Sequence, residues 1–444
     1  MGEECPEREM QGFMRGFAGE PGVMRQIRQR ISRPLYRNSL FLMANVLVTT
    51  ALGFFFWMVV ARFYTDAEVG LAAAIISALT FLALLSRLGL GIAIIRFLPK
   101  AEKPVEMINS SFTLGGIVVL VAAAIFVAGL GLWSPALSFI QQNVIFILAF
   151  IFFAFCWMLS ALMDFIFIAK RRAEFVLSKN TIISLLKIPL PILMVLFFRA
   201  FGIISSWGIA TAIVIVISLF LFLPRVQSSY RPVPKLNFGL IRGVWRYSAG
   251  NYFAELFSAA PGMILPIMVV NLLGAEQNAY FYVAWMIAGL LTAIPAAVAQ
   301  SLFAEGSHFE EELETNVRRS FKFVFLLLIP TVILVVVLGK WLLLLFGASY
   351  SANALGLLWM LAVSGLFMGV NNIYTTVLRV SNRIKKLVLI VGFVTIVLIV
   401  GSYLITPATG IIGVGYAQLA AQGLVCVYAL FALRSYYIKR RVQA

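Results

Sequence analysis

Runs of 18 or more apolar residues recur from Ser39 to the C-terminus, with few polar stretches between them. A helix rises about 1.5 Å per residue, so each run is long enough to cross roughly 30 Å of hydrocarbon. In lipid, a crossing segment must bond its backbone polar groups internally, which a helix does. Twelve spans follow, at approximately 39–61, 69–95, 111–132, 144–169, 175–198, 202–224, 247–272, 279–303, 321–345, 355–377, 387–405 and 411–433. The expected fold is an all-α polytopic membrane protein with two six-helix bundles, 39–224 and 247–433. A cytoplasmic segment (1–38) precedes them, a basic connector (225–246) joins them and a short tail (434–444) closes the chain.

Loop charges test the span count independently, because Lys and Arg concentrate in the loops that stay in the cytoplasm. Arg96, Lys100 and Lys103 follow the second span, Lys170 to Arg172 the fourth, and Arg225, Arg231, Lys235 and Arg242 the sixth. Arg318, Arg319 and Lys322 follow the eighth, Arg379, Arg383, Lys385 and Lys386 the tenth, and Lys439, Arg440 and Arg441 the last. The opposite loops at 134–143, 347–353 and 407–410 carry no Lys or Arg. Both termini are therefore expected in the cytoplasm, with the chain multi-pass in the cytoplasmic (plasma) membrane.

The formal charge of +17 is accounted for by these clusters, and with no basic face interleaved with aromatics there is no expectation of nucleic-acid binding. The polar first 38 residues lack the apolar core of a cleaved signal peptide. Arg25, Arg28, Arg30, Arg33 and Arg37 would hold that end inside. Cys5, Cys156 and Cys426 lie too far apart in sequence to read as a disulfide framework or a metal set.

Two halves that both start inside predict a parallel repeat about a pseudo-two-fold axis along the membrane normal. A shift of 209 positions superposes Arg37 on Arg246, Ser39 on Ser248, Leu47 on Leu256, Gly53 on Gly262, Ser111 on Ser320 and Phe112 on Phe321.

Ionisable groups inside spans are costly and mark cavities or partners. Arg87 in the second span and Glu255 in the seventh each lie nine residues from a cytoplasmic arginine, Arg96 and Arg246, hence at equal depth if the helices are continuous. Two readings stand: a guanidinium offered to a phosphate or pyrophosphate, or an ion pair that joins two helices. A pair that breaks when substrate binds satisfies both. Lys187 falls near the bilayer centre and is a cavity candidate, whereas Asp164 is close enough to Lys170–Arg172 for a local pairing.

Asn45, Asn251, Asn371 and Asn372 read as interhelical hydrogen-bonding groups or as contacts to sugar hydroxyls, with Gln300, Gln418 and Gln422 beside them. Prolines interrupt several spans, at 189, 191, 261, 266, 295 and 330. The trio Pro261, Gly262 and Pro266 beside Glu255 is the candidate hinge. His308, among Glu310, Glu311, Glu312 and Glu314, reads as part of a solvated surface helix, and neither a metal site nor a cofactor motif is expected.

The stretch from Asn45 to Pro99 carries Gly53, the Ala61–Tyr64 "ARFY" segment, Glu68, Gly70, Leu88, Gly89 and the Arg96–Pro99 "RFLP" segment. In these it resembles prokaryotic polysaccharide-biosynthesis membrane proteins, the Wzx-like oligosaccharide flippases of the multidrug/oligosaccharidyl-lipid/polysaccharide exporter superfamily. The resemblance implies two bundles in a V around a central, often cationic, cavity in which a polyprenyl-pyrophosphate-linked glycan turns over. Arg87 and Lys187 fit such a cavity by residue type.

The expected function is thus translocation of a lipid-linked oligosaccharide or polysaccharide repeat unit by alternating access, without covalent chemistry. A proton, sodium or membrane-potential gradient is the candidate driving force. The expected partners are the glycan lipid, membrane lipids and glycan-assembly enzymes, around a monomer. The rival is a drug or cation antiporter of the same superfamily, with Glu255 or Asp164 as the ion site. A glycan polymerase or glycosyltransferase needs positioned acids and bases, which the short external loops do not supply.

Overall fold

The computed structural model describes residues 34–308 and 313–443, with side chains omitted at 34–36, 196–198, 238–248, 303–313 and 435–443. Arg25, Arg28, Arg30, Arg33, Cys5 and Glu310–Glu312 lie outside the described residues, as do the side chains of Arg242, Arg246 and His308. Among the described residues, twelve helices are long and apolar enough to cross a membrane. Cys156 and Cys426 are buried and free.

The first bundle comprises α1 (Pro34–Phe63), α2 (Asp66–Ser86), α3 (Leu90–Phe97), α4 (Pro104–Ala128), α5 (Val144–Ala169), α6 (Ala173–Leu186) and α7 (Pro189–Ile217). The second comprises α8 (Phe238–Leu273), α9 (Ala275–His308), α10 (Leu313–Leu344), α11 (Ala348–Val380), α12 (Ile384–Thr409) and α13 (Ile412–Gln443). From Phe238 the connector is already helical, so α8 begins well before the apolar run that betrays it in sequence.

Packing within the halves repeats. In the first, α1 packs on α6, α4 on α5, and α5 also on α2 and α7. In the second, α8 packs on α12, α10 on α11, and α11 also on α9 and α13. Each contact recurs between counterparts, as a parallel repeat requires.

The second span is not the continuous helix assumed from its hydropathy. It stops at Ser86 and restarts at Leu90 after two left-handed residues, Leu88 (φ 47°) and Gly89 (φ 75°). Glycine adopts that conformation freely, whereas leucine does so under strain. Depth counted along an unbroken helix therefore fails for Arg87, which caps the first segment.

Span five is jointed as well. Its helix α6 ends at Leu186 and α7 begins at Pro189, a residue with no N–H to continue the ladder. Arg199, with φ 44°, turns the chain from span five into span six.

The two bundles meet along α2, which packs on α8 and α9, and along α3, which packs on α8. One end of this interface, at the tips of α1 and α2, is sealed. Asn278 Nδ2 donates to the Gly70 carbonyl (2.7 Å), the Tyr280 hydroxyl to Asp66 Oδ2 (2.8 Å), and Arg62 to the carbonyls of Leu345 and Leu344 (3.1 and 3.0 Å). The last contact suits an arginine, because it meets unpaired carbonyls at the end of α10.

Gly70 permits the closest approach. A Cβ there would lie 1.7 Å from the Ala275 carbonyl oxygen. The rings of Trp57 and Tyr282 meet at a tilt, with centroids 4.8 Å apart, where α1 meets α9. Towards the connector end α1 leans on α6, and its first fully buried side chain along the described chain is Phe56.

Gly70→Val is expected to part the sealed end. With native cysteines replaced, a thiol introduced by Ala73→Cys, at a position now fully buried, should become reactive to a membrane-impermeant maleimide only when Gly70→Val is also present.

Candidate functional site

Among the described residues, three polar groups stand out in the apolar interior, the first and second meeting along α8 and the third apart from both. The first lies between the bundles. Arg87 caps α2, its N–H on the Leu84 carbonyl (3.3 Å), and its Nη2 reaches Glu255 Oε1 on α8 at 3.0 Å. The Phe165 ring lies 5.4 Å from the guanidinium carbon, and Gly91 makes room for that ring, since a Cβ would approach it to 2.6 Å.

Tyr252 donates to the Leu85 carbonyl (2.9 Å) and so ties α8 to the end of α2. Arg87 Nε is buried with no hydrogen-bond partner among the described residues. The Arg87 side chain is 15% exposed and that of Glu255 is 36% exposed, so the pair is only partly shielded. Asn251, half-buried, stands one turn before Glu255 on α8.

The second group lies inside the second bundle, around a cavity of about 410 Å³. Pro261, Gly262, Asn371 and Asn372 line it, together with Gln418 and Gln422. Asn371 Nδ2 donates to the Gln422 carbonyl (3.0 Å) and to its Oε1 (2.8 Å). Two amide acceptors, Asn371 Oδ1 and Gln418 Oε1, are buried without a donor among the described residues. Arg379 is the one charged residue on the wall among the described residues. Glu255, Ser258 and Gly262 fall on one face of α8, which puts the Arg87–Glu255 pair at one end of this wall. Pro266 lies on α8 beyond the lining residues.

The third group lies inside the first bundle, around a cavity of about 350 Å³. Asp164 pairs there with Lys179 of α6 (3.1 Å), whose side chain is fully buried. It does not use the nearby Lys170–Arg172 cluster. Arg172 and Arg37 both turn to Glu174 instead. Lys179 also donates to the carbonyl and hydroxyl oxygens of Ser160 (3.0 and 2.6 Å). Asn180 donates to Asn45 Oδ1 (3.1 Å) and to Asp164 Oδ2 (3.4 Å), which accounts for Asn45. Lys187 lines the same cavity.

Arg87, in the ion pair between the bundles, and Lys187, on the wall of the first-bundle cavity, thus stand in different surroundings. Sequence reasoning missed Lys179 because it follows a basic loop closely. Its spacing of eight from Lys187, with Ile183 between, was the available signal of a shared helix face.

Four carboxylates near these groups are spoken for. Asp164 holds Lys179, Glu255 holds Arg87, Glu106 pairs with Lys235 (3.1 Å), and Asp66 accepts from Tyr280. Among the described residues, no group of three metal-ligating side chains occurs.

The family described as "Polysaccharide biosynthesis protein" matches the chain over residues 59–355. No curated protein matches the sequence. Among solved structures, the lipid II flippase MurJ in an inward closed conformation aligns with a TM-score of 0.73 at 12% identity, covering 89% of this chain and 87% of that one. An inward-facing multidrug resistance MATE family transporter of the MOP superfamily aligns at 0.66 and 16% identity, over 90% and 98% of the two chains. A MOP superfamily transporter from Pyrococcus furiosus, whose binding pocket is described as having reverse polarity, aligns at 0.61 and 17%, over 90% and 96%. At such identities the likeness is one of fold.

Two ion pairs can be tested by melting temperature in detergent. Lys179→Met strands the Asp164 carboxylate and should cost about 3 kcal/mol, most of it recovered when Asp164→Asn is added. Arg87→Glu alone sets like charges against each other and should lower the melting temperature. Combined with Glu255→Arg it should return close to the parent value.

Proposed function

The chain belongs to the family of polysaccharide biosynthesis proteins, and on that premise we propose that it flips a polyprenyl-pyrophosphate-linked oligosaccharide across the cytoplasmic membrane. It has the fold of the MOP-superfamily transporters, and in the proposal it works as they are built to do, by exchanging which end of the interface between two bundles is open. The connector end faces the cytoplasm, as the loop charges predict, so the sealed end faces outside.

The observation that carries the reading is the Arg87–Glu255 pair between the bundles. A pyrophosphate offers more acceptors and more charge than the single Glu255 carboxylate, and guanidinium binds phosphate oxygens bidentately. Arg87 also keeps one buried donor, Nε, unused. An incoming headgroup therefore has reason to displace Glu255, which would uncouple α8 from α2 and let the bundles rock. The amide-lined cavity of the second bundle adjoins the pair, and its two unpaired acceptors suit sugar hydroxyls. The lipid tail stays in the bilayer, entering beside α1, whose connector half leans on its own bundle.

Antiport of an organic cation is the competing reading. It needs a carboxylate free to take a proton, sodium or drug, and both intramembrane candidates, Asp164 and Glu255, already hold a cation. Covalent catalysis has no part in the proposal. Coupling to an ion gradient remains compatible with it, and the orientation of the termini and the monomeric state belong to the same proposal.

The test is translocation of a fluorescent prenyl-pyrophosphate oligosaccharide in proteoliposomes. The intact protein should flip it, Arg87→Ala should reduce the rate at least tenfold, and the paired reversal Arg87→Glu with Glu255→Arg should stay slow although the ion pair is rebuilt. Absence of flipping together with proton- or sodium-coupled efflux of an organic cation would replace this function with antiport.

A further inference from the structure

Lys187 is a buried charge that neither the bundle interface nor the second-bundle cavity uses. It is 4% exposed and closes the end of α6 where Pro189 interrupts span five. Its ammonium lies 3.7 Å from the Trp207 ring centroid and 4.9 Å from that of Phe56. Aromatic faces stabilise a cation on those sides but accept no conventional hydrogen bond from its three donors. Among the described residues Lys187 has no carboxylate partner and no hydrogen-bond acceptor for its Nζ.

The cavity it lines is short of anions. Its carboxylate, Asp164, is neutralised by Lys179, which is further fixed by Ser160, so Asp164, its partner Lys179 and the lining Lys187 together carry one positive charge in excess when both lysines are protonated. Donors are plentiful. Ser184, one helical turn from Lys187, lines the same space with no partner for its hydroxyl among the described residues, and the indoles of Trp157 and Trp207 also border it. Desolvating an unpaired ammonium is unfavourable, and a counter-anion removes that cost without moving the helices. The space of about 350 Å³ is ample for a small ion and several waters.

We propose that this first-bundle cavity binds one small monovalent inorganic anion of the halide class, held by the Lys187 ammonium and the Ser184 hydroxyl. The site stands at the joint between α6 and α7, so occupancy stiffens a segment that must bend if the bundle changes shape. An anion gradient is then a source of bias for the transport cycle, whatever the cargo at the bundle interface.

Thermal unfolding in detergent at constant ionic strength tests it, with chloride or bromide replaced stepwise by gluconate. The intact protein should show saturable stabilisation by both halides. The response should be at least tenfold weaker in Lys187→Met, which keeps the side chain's length, and unchanged in Lys385→Met, at an exposed site. A bromide-soaked crystal of the intact protein should show an anomalous peak within hydrogen-bonding distance of Lys187 Nζ, a readout that stands even if Lys187→Met fails to fold. Equal stabilisation by gluconate, or a bromide map with no peak in this cavity, would overturn the proposal. Neither result bears on glycan-lipid flipping, which is read separately.

Discussion

The two bundles of this protein are tied at mid-interface by the Arg87–Glu255 ion pair, and much of the surrounding architecture exists to present it. An arginine within an unbroken apolar helix would have to bend its side chain away from lipid to find a partner. Here the backbone does that work: left-handed Leu88 and Gly89 end α2 at Ser86, and Arg87 emerges at the break with Phe165 against its guanidinium. The strain at Leu88 is stored where a ligand would act on it. Both partners are partly accessible, so in the proposed function the pair is open to competition by a more highly charged anion.

The interface is asymmetric along its length, and that asymmetry defines a conformational state. At one end, backbone carbonyls, Asp66, Arg62 and the bare Cα of Gly70 bring the bundles into direct contact. Towards the connector, α1 withdraws to its own bundle. In the proposed function, alternating access would exchange this seal for one at the other end of the interface. The hydrogen bonds at the seal range from the fully buried Asn278 to the exposed Arg62, and each is of modest net strength.

Much of this was legible in the sequence because hydrocarbon imposes length and charge rules that few other environments impose. The twelve spans and the internal repeat followed from apolar run lengths and alternating loop charge. Several of the residues that carried the family resemblance are points of close contact or sharp turning. Glu68 caps α2 in a reciprocal box with Thr65, Tyr64 donates to the Pro191 carbonyl, Gly70 allows the seal, and Gly89 allows the break.

What the sequence left obscure is equally physical. Counting residues yields depth but not azimuth, so Arg87, Lys187 and Asn371 look like neighbours although they belong to three separate surroundings. Sequence proximity points Asp164 to the Lys170–Arg172 cluster, yet the hairpin of α5 and α6 brings Lys179 back to it. A left-handed Leu leaves no trace in hydropathy, so the break that positions Arg87 was hidden inside what reads as one long span.

The most direct measurement is the distance between spin labels on α3 and α8, introduced at Ile95 and Phe253, two exposed positions on either side of the ion pair. Saturating prenyl-pyrophosphate oligosaccharide should shift the distance distribution in the parent background and leave it unchanged with Arg87→Ala. Bound glycan lipid that leaves the distribution of the parent protein unmoved would contradict the claim that the headgroup opens the Arg87–Glu255 contact.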